Sequence, residues 1–213
     1  MVRGEPRWPM AAAVVAASAL TLARPAEVRV APAWVLPAVE AALLVVLVVR
    51  DPGRIDRRSR VLRAASIGAV GLLVLDALFA TGRLVVALVE GGKLTGSATA
   101  LLTAGVVVWV SNIIAFALLY WELDSGGSAA RAHGLPETPD IAFPQQLNPE
   151  LAPTEWRPLF HDYLYLGLTS ATAFSPTDAM PLAGWAKLAM SVESLISLTV
   201  LGLVVARAVN VLT

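Results

Sequence analysis

Five apolar stretches leave this chain few ways to fold: Pro9 to Ala23, Ala33 to Val49, Arg63 to Val89, Ser97 to Trp121 and Leu182 to Leu212. A bilayer hydrocarbon core about 30 Å thick is crossed by roughly 20 apolar residues at 1.5 Å rise each, and a helix satisfies its own backbone there. The composition points the same way, with 57% hydrophobic and only 15% charged residues, against about 25% charged in soluble domains. The expected fold class is all-α, a polytopic membrane helix bundle with five clear transmembrane helices plus a short sixth or re-entrant helix at Leu159 to Ser175. Residues 1–213 read as a single integral membrane domain. Trp8, Trp34, Tyr120, Trp121, Trp156, Tyr163, Tyr165 and Trp185 cluster at the ends of these stretches, where an amphipathic ring prefers the headgroup zone. Gly68, Gly71 and Gly82 in the third stretch are expected to let a neighbouring helix come close.

The first stretch has two readings. Arg3 and Arg7 before an apolar run ending near Ala17, Ser18 and Ala19 resemble a secretory signal peptide. The run continues past those small residues and Glu5 dilutes the positive start, so a retained span is the expectation kept. Orientation follows from Arg50, Arg54, Arg57, Arg58, Arg60 and Arg63, which place their loop in the cytoplasm by the positive-inside rule. By parity the N-terminus is then cytoplasmic, the turns at Arg24 to Ala31 and Glu90 to Gly96 are external, and residues 122–158 are cytoplasmic. If Leu159 to Ser175 crosses, the last helix returns inward and both termini lie inside. That crossing spans only about 25 Å.

Residues 122–158 change character, with Gly126 and Gly127, then Pro136, Pro139, Pro144, Pro149, Pro153 and Pro158 and no helical period. They read as an extramembrane, partly extended, solvated linker. Glu122, Asp124, Glu137, Asp140, Glu150 and Glu155 make it acidic against Arg131 and Arg157. The 16 basic and 16 acidic side chains of the whole chain cancel, leaving no field that would attract nucleic acid. The absence of cysteine excludes disulfides and thiolate chemistry, and fits a bacterial inner membrane.

From Phe116 to Trp121, through Phe143 and Pro144, to Asp162, Tyr163, Leu164, Tyr165 and then Thr177 and Asp178, the chain resembles an uncharacterised bacterial multi-pass membrane family, catalogued as a domain of unknown function. That resemblance implies a membrane fold and no activity. Over about 50 residues, Tyr165 to Thr172, Thr177, Asp178 and the last helix are similar to the pore helix, filter and inner helix of two-span potassium-channel modules. The likeness departs at Ala173 to Thr177, which has no glycine and contains Pro176, where a potassium filter needs glycine dihedrals. It also requires the linker, and with it the arginine loop, to lie outside.

Asp76 lies near the centre of the third stretch, where an ionised carboxylate demands a partner or a role. Arg83, seven residues on, is expected to lean back toward it. Glu40 is expected at the outer end of the second stretch, bathed by headgroups. Asn112 with Ser111 is expected to tie helices together. Thr169, Ser170, Thr172 and Glu193 are the candidate lining of a polar cavity. The expected function is an integral inner-membrane protein with a channel-like or transporter-like path for a monovalent cation or a proton, in a lipid bilayer, with a homo-oligomer as an assembly to consider. The alternative is a structural or partner-binding membrane protein without transport. No phosphate loop, metal-binding histidine pair or nucleophile elbow occurs, so no enzyme activity, cofactor or metal is expected.

Overall fold

The computed structural model describes residues 4–29, 31–55, 59–91, 96–134, 138–153, 156–172 and 179–212. The chain is all-α, with helices α1 (Trp8–Ala23), α2 (Val35–Arg50), α3 (Arg60–Glu90), α4 (Ala98–Leu123), α5 (Ser128–Ala132), α6 (Pro144–Leu147), α7 (Phe160–Thr172) and α8 (Gly184–Leu212). Each apolar stretch became a helix bounded by local signals. Pro9 opens α1 where a missing amide costs nothing. Ser59 and Ser97 cap α3 and α4 by accepting from the amides of Leu62 and Ala100. α3, α4 and α8 are long and apolar enough to cross a membrane, while α1 is a shorter apolar helix.

α4 is the centre, packed against α1, α3, α7 and α8, with α2 lying on α1 and α3. Ile113, Ile114, Ala115, Phe116, Ala117 and Leu118 of α4 are all buried, because neighbours surround it on every side. Two tiny antiparallel ladders hold one end together. β1 (Glu5–Pro6) pairs with β2 (Arg54–Ile55), and β3 (Ile141–Ala142) pairs with β4 (Met180–Pro181). This is the arginine-rich end, carrying the start of α1, the end of α2, the start of α3 and the end of α4.

The direction of α7 decides the topology. Phe160 stacks edge-on against Trp121 at 6.1 Å, and Gly167 lies beside Ile113 and Ala117, so α7 runs antiparallel to α4 from the arginine-rich end. α8 also runs antiparallel to α4, with Glu193 against Tyr120 and Val204 against Gly105. α7 and α8 therefore point the same way, and Ser194 donates to the Ser170 carbonyl at 3.1 Å. By Met180 the chain is back at the arginine-rich end, where the Leu182 and Ala183 amides donate to the Asp140 carbonyl at 2.8 and 3.1 Å. The α7 segment is thus re-entrant within the bundle. The order with both chain ends on one face is corrected accordingly: α8 carries the C-terminal end to the face opposite Glu5. With 13 residues, α7 reaches about 20 Å, while the 29 residues of α8 reach about 43 Å.

Two further expectations change. The linker is only partly solvated: Asp124, Ser125, Ser128, Ile141, Ala142 and Phe143 are buried, while residues 133–134 and 146–150 are exposed. Gly68, Gly71 and Gly82 meet no neighbour, and close helix approach occurs instead at Gly105 and Gly167. α1 joins the core through Met10, Ala13, Val14 and Ala17.

Candidate functional site

Glu193, Ser197, Val200 and Val204 recur at helical spacing and turn one face of α8 onto α4. That face sinks the Glu193 carboxyl to 0% exposure. The Tyr120 hydroxyl donates to its Oε2 at 2.6 Å. Its Oε1 faces Gly167, where an added methyl would stand 3.4 Å from this oxygen and 3.1 Å from the Ile113 carbonyl. A side chain there would be a tight fit, so glycine lets the α7 backbone lie close to both without displacing either. Glu193 Oε1, Ser170 Oγ and Ser197 Oγ have no hydrogen-bond partner among the described residues. A buried carboxyl with one strong donor and one spare oxygen, beside uncommitted hydroxyls, is suited to holding a proton or a small cation.

Of the four residues expected to line one polar cavity, Ser170 and Glu193 lie on the packed faces of α7 and α8, joined through Ser194, which donates to the Ser170 carbonyl. Thr169 and Thr172 do not join them: their hydroxyls donate to carbonyls of their own helix, at Tyr165 and Thr169. Ala173 to Asp178, the counterpart of the channel filter, lies outside the described residues, as do Arg57 and Arg58 of the arginine loop.

Asp76 sits at the middle of α3 and takes a different partner from the one its spacing suggested. The Arg24 guanidinium, at the end of α1, reaches its Oδ2 at 2.5 Å, and Thr21 adds a longer contact at 3.3 Å. Arg83 instead donates twice to the Glu27 carbonyl, at 3.0 and 3.2 Å, pinning the turn after α1 against α3. Glu40 is buried, not bathed by headgroups, because α2 packs it toward α1, where Ser18 donates to it. Asn112 does tie helices together, its amide donating to Thr81 of α3 at 2.8 Å. Ser111 bonds within its own helix.

The mouth of α7 is built by residues that sequence patterns did not single out. Glu5 Oε1 accepts from the Phe160 amide at 2.5 Å, capping α7 from a distant strand, and Oε2 accepts from the Trp121 indole at 2.8 Å. Asp124 Oδ1 accepts from the amides of Asp140 and Ile141, each at 3.0 Å, and its Oδ2 from the Tyr163 hydroxyl at 2.5 Å. Arg131 donates to the Trp121 and Asp124 carbonyls at 2.8 and 2.7 Å and lies 5.0 Å over the Tyr163 ring. The one advance signal was chemical: a lone Glu among the first residues and an Asp at the end of an apolar helix both need donors.

Burial pushes the Glu5 carboxyl above its ordinary range; the bonds from Trp121 and Phe160 and the charges of Arg131 and Arg157 pull it back without cancelling the effect. A carboxyl raised in the folded state keeps a proton that the unfolded chain releases. Its contribution is full below the ordinary value of 4.5 and is lost as pH rises through the folded value. Unfolding titrations of the detergent-solubilised protein from acid to neutral pH are therefore expected to show stability falling, with a slope limit of about 1.4 kcal/mol per pH unit. Glu5→Gln should flatten that slope, and an unchanged slope would assign it to another group. The chain matches no family model, no curated protein and no solved structure.

Proposed function

We propose that the chain is a multi-pass protein of a bacterial inner membrane, in which α1, α2, α3, α4 and α8 cross the bilayer while α7 enters from the cytoplasmic side and returns, and that Glu193 handles a proton or a monovalent cation. The membrane placement is supported by the lengths of α3, α4 and α8. It is also supported by the outward apolar residues Val45, Leu75, Phe79, Val106, Leu198 and Val205, which would otherwise face water. α1 and α2, at 16 residues or about 24 Å each, need local thinning of the bilayer or flanking polar groups. Arg7, Arg50, Arg54, Arg60, Arg63 and Arg131 at the end shared by α7 and α8 support a cytoplasmic face there. A short inward helix followed by a long helix from the same face matches the element order of the pore-module likeness, but that likeness requires this face to be external, so it lends no support to a cytoplasmic entry.

One observation carries the transport reading: α7 brings Gly167 against a fully buried carboxyl that keeps a spare oxygen. Purified protein in liposomes with an internal pH-sensitive or cation-sensitive dye is expected to dissipate an imposed gradient. Glu193→Gln should abolish this flux and Tyr120→Phe should reduce it. Absence of flux in the wild type under proton, sodium and potassium gradients, or unaltered flux in Glu193→Gln, overturns the reading. The chain has no cysteine, so single-cysteine labelling tests the placement. His161→Cys should react from the cytoplasmic side and Gly96→Cys from the outside. Ser128 is too buried to serve as a reporter.

A further inference from the structure

At the arginine-rich end a cavity of about 680 Å³ opens between the end of α2, the start of α3, the end of α4 and α5. Neither Glu193 nor any other α8 residue lines it, and its size is that of a small-molecule site. Its lining includes the apolar side chains of Leu47, Ile55, Leu62 and Ala129. It also carries five charged side chains, three basic and two acidic: Arg7, Arg60, Arg63, Asp51 and Glu122.

Most of those charges are already committed. Arg7 holds Asp51 through a 2.7 Å ion pair and a 2.8 Å bond to its carbonyl. Glu122 accepts from Ser66 at 2.6 Å and lies 3.9 Å from Arg63, which also donates to the Gly126 carbonyl. Arg60 has no hydrogen bond or ion pair among the described residues, although it lines the same cavity. Among the described residues the cavity thus keeps one guanidinium without an ion pair, in a lining that also has apolar side chains. A soluble anion would pair with Arg60 and leave those apolar side chains uncovered. A neutral amphiphile would cover them and leave the cation unmatched. An amphiphile with a single anionic head satisfies both, and a guanidinium suits a phosphodiester in shape and charge.

We infer that this cavity binds an anionic phospholipid of the cytoplasmic leaflet, its phosphodiester against Arg60 and its upper acyl chain along Leu47, Leu62 and Ala129. The inference rests on the membrane placement proposed above and not on transport through Glu193. A lipid seated here would bridge α2, α3 and α5, and so would brace the folded linker against the bundle.

Native mass spectrometry of the full-length protein in detergent, titrated with phosphatidylglycerol or with phosphatidylcholine of the same acyl chains, tests it. Phosphatidylglycerol is expected to bind more tightly, and Arg60→Gln to weaken it about fivefold while leaving phosphatidylcholine unchanged. Lys187→Gln, an exposed cation at the same end but outside the cavity, should change neither. Ala129→Trp should fill the cavity and remove binding of both lipids. Arg60→Gln keeps the test valid if that bulky variant fails to fold, since Arg60 is exposed and makes no internal bond. Equal affinity for the two lipids, or an anionic preference indifferent to Arg60, overturns the inference. Competition by glycerol phosphate at equal concentration assigns the site to a free phosphate and overturns the lipid assignment. Release of the protein from membranes by alkaline carbonate would instead sink the membrane placement, so the two failures are told apart.

Discussion

Asp124→Ala is expected to lower the unfolding free energy by about 3–5 kcal/mol, measured by denaturant titration of the detergent-solubilised protein with circular dichroism. Asp124 is fully buried and its two oxygens serve four donors: Ser125 Oγ, the Asp140 and Ile141 amides, and the Tyr163 hydroxyl. Truncation strands the last three inside the fold, and each unsatisfied buried donor costs about 1–3 kcal/mol. The damage would spread, because Asp140 also holds the chain as it returns from α7, through its carbonyl to Leu182 and Ala183. Asp124→Asn should cost less. An amide keeps one acceptor oxygen for the two backbone amides, and its NH₂ can donate to the phenolic oxygen of Tyr163. Tyr163→Phe, which removes one donor and strands one carboxylate oxygen, should fall between. If Asp124→Ala costs under about 1 kcal/mol, the linker is not anchored as described, and the re-entrant path of α7 loses its main support.

What the sequence made legible and what it hid divide along one physical line. The long helices lie within a few residues of their apolar stretches, because a run of Val, Leu and Ala reports burial without needing to know the neighbour. Serine caps and flanking arginines mark their ends for the same local reason. The path of α7 was not legible. Whether Leu159 to Ser175 crosses or returns depends on Met180 and Pro181 pairing with Ile141 and Ala142, a ladder whose two-residue strands carry no pattern. The acidic linker misled for a related reason: proline spacing and six carboxylates look solvated unless one knows that Asp124 has found donors. Glu193 was visible as a deep carboxyl with hydroxyls around it, yet its partner Tyr120 looked like an interfacial anchor, and only the antiparallel packing of α4 and α8 brings the two together. Helical spacing likewise nominated Arg83 for Asp76, since spacing describes one helix and the pair that formed joins two.

That pair supplies the second large effect. Arg24→Met is expected to cost about 3–5 kcal/mol, because removing one member of a buried ion pair leaves the other charge uncompensated. Both side chains are nearly inaccessible, at 3% and 4% exposure, and Asp76 would keep only the 3.3 Å contact to Thr21. Glu40 is buried nearby with its Oε1 unpartnered and Ser18 as its donor, so a second carboxyl near Asp76 would also lose the neighbouring positive charge. The double variant Arg24→Met with Asp76→Leu should recover most of the stability, since apolar side chains of similar size avoid the cost of stripping water from both charges. Thermal unfolding in detergent checks the ranking of the single and double variants, and equal instability in both would mean that packing, not charge, is what Arg24 supplies. Flux through the double variant in liposomes then separates two roles. Restored stability with intact flux makes the pair a clamp that fixes α1 to α3. Restored stability with lost flux makes it part of the conducting machinery, because the charges would then be needed for conduction where the fold does not need them.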